Sequence, residues 1–178
     1  MILCDKNIKQ LEKTFSPFEE KQVNPASYDL RWSGRIRRPN PDKVNRVVRT
    51  WIKEELKDLW LPVQEYDEVY IHPGELVLLD TYELIEIPSN LCGLLMLKSS
   101  SGRFGLEHLH AGFFDPEFGL DNPSTGTLEV TNKAPWIIAI QKHQSLVQLV
   151  LMNMLEVPER GYKVTGKYNG QRIPEGAK

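Results

Sequence analysis

Residues 68–97 read EVYIHPGELVLLDTYELIEIPSNLCGLLML, and this stretch decides the fold. It is made of short apolar segments separated by turn sequences, HPGE at residues 72–75 and PSN at residues 88–90. Strand-length segments divided by turns about every ten residues are typical of a β-sandwich or a distorted barrel. The sequence therefore predicts a mainly β protein.

The pattern continues on the C-terminal side, in residues 126–132, 136–140 and 145–155. After these segments, residues 158–178 are polar and rich in Gly, Lys and Tyr. Such a segment is either a frayed tail or a flap that orders when a ligand binds.

On the N-terminal side, residues 25–32 (PASYDLRW) begin with a proline and then alternate small or polar residues with apolar ones, which predicts the start of a strand. Residues 44–60 carry apolar residues at helical spacing up to Pro62. They predict an amphipathic helix that covers the open face of the β-domain. A membrane-surface helix is the less favoured interpretation, because the polar face mixes both signs of charge.

The composition predicts one domain spanning residues 1–178 and excludes several classes of function. With 22 Lys and Arg against 24 Asp and Glu, the net charge is 22 − 24 = −2, which argues against nucleic-acid binding through overall positive charge. The two cysteines, Cys4 and Cys92, form no CxxC pair, so neither a zinc knuckle nor a disulfide framework is indicated. No apolar run is long enough to span a membrane. We expect a cytoplasmic protein.

Two stretches could carry chemistry. Residues 97–105 (LKSSSGRFG) place hydroxyls, a glycine and Arg103 after an apolar segment, which suits a polyanion cradle or simply a polar loop. Residues 107–119 (EHLHAGFFDPEFG) hold two histidines and three carboxylates. His108 and His110 have the spacing of a metal-binding pair, but without further His or Cys ligands nearby a structural role is favoured.

Glu129 lies between apolar Leu128 and Val130. In a strand it points to the opposite face from them, either to solvent or into a pocket. In a partly desolvated pocket its pKa would rise toward the range of a general base.

Taken in order, these segments resemble the dCTP deaminase family, the trimeric branch of the dUTPase-like superfamily. The resemblance rests on residues 25–30 (PASYDL), 72–75 (HPGE), 98–106 (KSSSGRFGL), 115–119 (DPEFG), 127–132 (TLEVTN) and 166–171 (GKYNGQ). It implies a distorted β-barrel or jelly roll of the dUTPase-like type, with an inserted helix near residues 44–60.

The resemblance implies zinc-independent hydrolytic deamination of dCTP to dUTP and ammonia, feeding dUMP and dTTP synthesis. Consistently, the His-x-Glu and Pro-Cys-x-x-Cys signature of zinc deaminases is absent from the sequence. Glu129 matches the family's general base, which activates a water held by the backbone carbonyl at Ala111. Ser99 and Arg103 match the residues that orient and polarise that site.

The resemblance also implies the substrate contacts. The residues concerned are Lys98 and Ser100 at the phosphates, Asp115 at the deoxyribose 3′-hydroxyl, Thr127 and Leu128 beside the base Glu129, and Tyr162, Lys167, Tyr168 and Gln171 from a tail (158–178) that closes over the nucleotide. Mg²⁺ would accompany the triphosphate, with no metal ligand from protein side chains. A homotrimer with active sites between subunits is expected, and dTTP is the expected feedback inhibitor.

The chain departs from the family pattern in several places. Lys98 stands where arginine is usual and His110 where threonine is usual, and the loop 120–125 looks about four residues longer. These changes affect regulation and substrate range. Two alternatives remain: a bifunctional enzyme that also converts dUTP to dUMP and pyrophosphate, and a nucleotide-sensing module without catalysis. A pure dUTPase is disfavoured, since its glycine-rich C-terminal motif is missing.

Overall fold

The computed structural model describes residues 1–108 and 111–178, and strands dominate it. The strands are β1 (Phe15–Ser16), β2 (Val23–Asn24), β3 (Ser27–Arg37), β4 (Gln64–Glu65), β5 (Glu68–Ile71), β6 (Leu76–Ile85), β7 (Leu91–Leu97), β8 (Leu106–His108), β9 (Phe113–Phe114), β10 (Ser124–Asn132), β11 (Ile138–Gln141) and β12 (Ser145–Asn153). The predicted mainly β class is confirmed.

One curled antiparallel sheet forms the body of the molecule. Its strands follow the order β8-β10-β6-β3-β12-β7-β9, with β1 on β6 and with β2 and β4 on β3, while β5 and β11 form a separate pair. Strand β3 connects the two halves: residues 28–31 pair with β12, and Trp32, Ile36 and Arg37 pair with β6, with a register shift between Trp32 and Ile36. Since a bulge bends and twists a strand, this shift lets the sheet curl into a distorted half-barrel.

The concave side of this sheet encloses the core. Trp32, Tyr28 and Phe15 are among its largest fully buried side chains, and the rings of Phe15 and Tyr28 stack with centroids 3.9 Å apart. Full burial of such a side chain stabilises the fold by about 1.5–3 kcal/mol. The core fixes which face of each strand points outward, and this matters for the site below.

Strand β6 is longer than the sequence suggests. Residues 76–79 and 82–87 look like separate strands because polar Asp80 and Thr81 lie between them, yet the structure joins them in one strand, β6, which ends at Ile85. Both polar side chains are buried and hydrogen-bonded, Asp80 with Ser33 and Thr81 with the carbonyl of Glu83. Satisfied polar groups can be buried at little cost, so the strand continues.

The helices are short. They are α1 (Asp5–Ile8), α2 (Lys53–Leu56), α3 (Ser99–Arg103) and α4 (Tyr162–Thr165), with 3₁₀ turns at Glu12–Thr14, Glu20–Gln22 and Pro41–Lys43. None of these helices has the length and apolar character needed to cross a bilayer, and no other helix in the described ranges does.

The predicted amphipathic helix over residues 44–60 is wrong. Only the single turn of α2 forms there, and Val47 and Trp51 are 86% and 78% exposed. Most of the stability of a helix in a protein comes from packing of its apolar face, and β-branched valines lower helix propensity further. Since Val47 and Trp51 lie exposed rather than packed against the sheet, the periodicity alone does not produce a helix.

Candidate active site

A cavity of about 470 Å³ lies between β10, β9 and the C-terminal residues. Its lining residues are Trp60, Leu78, Ala111, Phe113, Phe114, Phe118, Gly126, Thr127, Glu129, Tyr162, Tyr168, Gln171, Glu175, Gly176 and Ala177. The volume falls in the range of sites for nucleotide-sized ligands. Six of the residues predicted for the site therefore meet within one chain: Ala111, Thr127, Glu129, Tyr162, Tyr168 and Gln171.

Strand alternation on β10 places Glu129 in this cavity. Leu128 and Val130 point into the core and are at most 1% exposed, so Thr127 and Glu129 face the other way. A register shift between Thr125 and Thr127 precedes this stretch, and regular pairing then resumes with Glu129 opposite Leu78. Regular pairing after this shift leaves Glu129 facing the cavity.

Glu129 is partly desolvated. Its side chain is 29% exposed, and burial raises its pKa above the usual range of a glutamate. Its Oε2 lies 3.6 Å from Nε2 of the buried His108, which is too far for a hydrogen bond but close enough for a favourable interaction if the imidazole is protonated. A carboxylate with a raised pKa is a better proton acceptor near neutral pH than an exposed one.

Aromatic rings form one wall of the cavity. Phe118 packs edge-on against Phe114, with centroids 4.8 Å apart, and its ring is tilted against that of Tyr162, with centroids 5.3 Å apart. Apolar walls exclude water and lower the local dielectric, which strengthens electrostatic interactions inside the cavity. Burial also raises the pKa of the Tyr162 hydroxyl.

The C-terminal residues are hydrogen-bonded to the sheet beside the cavity. The amide of Thr125 donates to the carbonyl of Gln171 at 3.0 Å, and the Gln171 side-chain amide donates to the carbonyl of Thr125. Further along, the Glu175 amide donates to Oγ1 of Thr127 at 3.4 Å. The side chain of Gln171 is buried, so residues 171–175 are held against the sheet beside the cavity by specific contacts.

The loop between β9 and β10 and the first residue of β10 contact the same segment. The Gly119 amide donates to Oδ1 of Asn169 at 3.2 Å, and the Gly170 amide donates to Oγ of Ser124 at 2.7 Å. Gly170 has φ +76°, and a Cβ there would lie 2.1 Å from Asn122. Residues 119–124 thus contact the tail, a role that their composition did not indicate.

The other predicted site residues do not line this cavity. Ser99, Ser100 and Arg103 are exposed on α3, and Asp115 and Lys167 are also exposed. Lys98 forms an ion pair with Asp29, and the Leu128 side chain lies in the core. His110, predicted to modify the family pattern, lies outside the described residues.

Several lining residues were missed by the sequence interpretation: Trp60, Leu78, Phe113, Phe114, Phe118, Gly126, Glu175, Gly176 and Ala177. Strand alternation could have identified Leu78, which faces the same side as its partner Glu129. No local signal points to Trp60, because it comes from a distant segment. In the described parts of the chain, no three His, Cys, Asp or Glu side chains are grouped closely enough to hold a metal ion.

The curled sheet and its cavity place the chain in the dUTPase-like fold class. The crystal structure of 2′-deoxycytidine 5′-triphosphate deaminase from Agrobacterium tumefaciens superposes with a TM-score of 0.64 at 18% identity. The match covers 84% of this chain and 46% of that one, so this chain spans about half the length of that structure. At this level of identity the likeness concerns the fold.

The family is shown by sequence. The family model described as dCTP deaminase-like matches residues 2–154, and the chain belongs to that family. It is 37% identical to a Corynebacterium jeikeium protein named dCTP deaminase, dUMP-forming, over 100% of this chain and 96% of that protein. A Mycobacterium avium protein with the same name is 35% identical over 98% of this chain and 93% of its own length.

Proposed function

We propose that this protein is a bifunctional dCTP deaminase that converts dCTP through dUTP to dUMP and pyrophosphate. The observation that carries the proposal is the position of Glu129 in a desolvated, nucleotide-sized cavity, in a chain similar to proteins named dUMP-forming over its full length. The sequence interpretation placed release of dUTP first and dUMP formation second. The names of the relatives favour the reverse order.

In the deamination step, Glu129 accepts a proton from a water molecule. The resulting hydroxide attacks C4 of cytosine, and Glu129 delivers the proton to N3, where it stays in the uracil ring. Glu129 then takes the proton of the new C4 hydroxyl and passes it to the amine, which leaves as ammonia while the C4 carbonyl forms, so dCTP and water give dUTP and ammonia. Ala111 lines the cavity, and its carbonyl is proposed to hold the water. The raised pKa of Glu129 supports this role, because a base works best when its pKa is near the working pH.

In the second step, water attacks the α-phosphate of dUTP and pyrophosphate leaves, so that dUTP and water give dUMP and pyrophosphate. The substrate is the magnesium complex of the nucleotide, in which the ion screens the phosphate charge. Lys98 and Ser100 are proposed to contact phosphates, and Asp115 the 3′-hydroxyl. Each of these side chains lies outside the cavity of the single chain.

This separation supports a homotrimer with the site between subunits. Ser99 and Arg103 are exposed, and neither lines the cavity that holds Glu129. A second copy that brings its α3 to this cavity would supply the hydroxyl and the guanidinium, and closed rings are the usual product of such head-to-tail contacts. The tail, with Tyr162, Lys167, Tyr168 and Gln171, is proposed to close over the bound nucleotide.

The test is an incubation of the purified protein with dCTP and Mg²⁺. Chromatography would resolve dCTP, dUTP, dUMP and pyrophosphate, while ammonia is assayed in parallel. We expect ammonia in equal amounts with dUMP and pyrophosphate. Ammonia with accumulating dUTP would leave deamination standing and overturn the second step, whereas binding of dCTP without any product would indicate a sensing module.

A further inference from the structure

We propose that Trp60 is a positioning residue that holds the C-terminal tail closed over the active-site cavity by packing its indole ring on Gly176. Its kinetic consequence rests on the proposed function. Trp60 lies more than sixty positions before Glu129 in the sequence and outside every segment that carries the family resemblance. It nevertheless lines the cavity together with Glu129 and with residues 175–177.

Trp60 is held in place although much of the segment before it is exposed. It pairs with Pro39 in an isolated β-bridge, and the flanking backbone is hydrogen-bonded from Asn40 to Leu59 at 2.8 Å and from Leu61 to Arg38 at 2.9 Å. The guanidinium of Arg37 also donates to the carbonyl of Trp60, at 3.2 Å. These contacts tie the end of the segment to β3, so the ring has a fixed point of attachment.

The contact with Gly176 requires a residue without a side chain. A Cβ on Gly176 would lie 2.7 Å from Cδ1 of Trp60, closer than such atoms approach in proteins, and 3.1 Å from its Nε1, which is a tight contact. Next to it, the Glu175 amide is hydrogen-bonded to Thr127 on β10. The end of the tail is therefore held between the strand that carries Glu129 and a ring from the other side of the cavity.

This arrangement gives Trp60 two effects on the reaction. The ring covers the side of the cavity next to residues 175–177, and it limits how far the tail can open. A tail that stays closed retains the nucleotide and excludes water from the reacting groups. Loss of the ring should therefore weaken substrate retention more than the chemical step.

The experiment uses five forms of the full-length protein besides the parent: Trp60→Ala, Trp60→Phe, Gly176→Ala, the double variant Trp60→Ala/Gly176→Ala, and Trp51→Ala. Trp51 is the matched control, because it is a tryptophan nine positions away that is 78% exposed and does not line the cavity. For each form we would measure KM and kcat with dCTP and Mg²⁺. We would also measure the rate at which trypsin cuts after the exposed Arg172 without nucleotide, and the thermal unfolding midpoint.

We expect Trp60→Ala to raise KM about tenfold, which corresponds to about 1.4 kcal/mol, with a smaller change in kcat. Cleavage after Arg172 should accelerate by a similar factor while the unfolding midpoint stays near that of the parent. Gly176→Ala should act in the same direction, and Trp60→Phe should restore part of the loss. The double variant should be no worse than Trp60→Ala, because the added methyl group then has no ring to strike.

The proposal is overturned if trypsin cuts Trp60→Ala at the same rate as the parent, or if Trp51→Ala accelerates cleavage as much as Trp60→Ala does. It is also overturned if the effects of the two single variants add fully in the double variant. The cleavage assay needs no turnover, so the two proposals can fail separately. If the parent leaves dCTP unchanged while cleavage follows the expected pattern, the proposed function is wrong and the contact is real. If the parent turns over dCTP and cleavage does not respond, only the role of Trp60 is wrong.

Discussion

Two regions are predicted to contribute to one active site, but within a single chain only one of them lines the cavity. Strand β10 and the tail bring Thr127, Glu129 and Gln171 to one cavity through strand pairing and hydrogen bonds within the chain. Helix α3 presents Ser99 and Arg103 on the surface, away from the lining of that cavity. The family resemblance covers both regions equally, so it indicates what the residues do without showing that one chain brings them together.

The difference has a physical basis. Glu129 is placed by the alternation of a strand whose other face is locked into the core, and such placement needs no ligand or partner. Exposed polar side chains on a five-residue helix have no such constraint. In the homotrimer proposed above, a second copy of the chain would bring these side chains to the cavity.

The largest effect is expected from Glu129→Gln. Removing the base while keeping the shape should lower kcat for deamination by about 10²–10⁴-fold, the usual contribution of a general base. Binding of dCTP with Mg²⁺ should stay within a few-fold of the parent, measured by calorimetry. Glu156→Gln, at an exposed loop position, is the matched control. Deamination at the parent rate in Glu129→Gln would remove this residue from the mechanism.

Complementation tests whether the two regions meet between subunits. Arg103→Ala and Glu129→Gln should each be inactive, yet trimers assembled from an equal mixture should regain about a quarter of the parent activity. Each site then has an even chance of an intact Glu129 and, independently, of an intact Arg103. Activity would be measured after denaturing and refolding the mixture, with each variant refolded alone as the control. A mixture as inactive as its components would place both residues in the same subunit's site.

A smaller effect is expected at Asp80, where the pH dependence of unfolding tests whether a carboxyl outside the active site also has a raised pKa. Burial raises the pKa of Asp80 to about 6, although this residue contacts Ser33 and Arg35 and does not line the cavity. Because the carboxyl of Asp80 binds its proton more tightly in the folded than in the unfolded state, the free energy of unfolding should fall as pH rises from about 4 to 6. Asp80→Asn should remove about 3 kcal/mol of that fall, since each pKa unit corresponds to about 1.4 kcal/mol.

Urea denaturation between pH 4 and pH 7 measures this change. The exposed Asp42→Asn is the control and should keep the slope of the parent. An unchanged slope in Asp80→Asn would mean that Asp80 is ionised throughout this range. In either case a raised pKa alone does not mark the active site, since Asp80 and Glu129 share this property and differ in what their side chains face.

Much of the fold could be predicted from local patterns. The strands predicted at residues 91–97 and 126–132 form, although the second begins two residues earlier, at Ser124, inside the stretch assigned to a loop. Burial alternates with period two over residues 93–96 and 127–130, as expected for half-buried strands. The helix over residues 44–60 shows where such reasoning fails. Its periodicity is genuine, but Val47 and Trp51 have no surface of the sheet to pack against, and periodicity stabilises a helix only through packing.

The candidate site divides in the same way. By itself, the sequence determined the residue types and their order, and therefore Glu129 as the candidate base and Gln171 as part of the tail. Only the tertiary structure decided that Trp60 lies in the cavity and that Arg103 lies outside it. The first kind of information is carried by neighbours along the chain. The second depends on how distant segments pack, and a ring and a glycine more than a hundred residues apart leave no local signal of their contact.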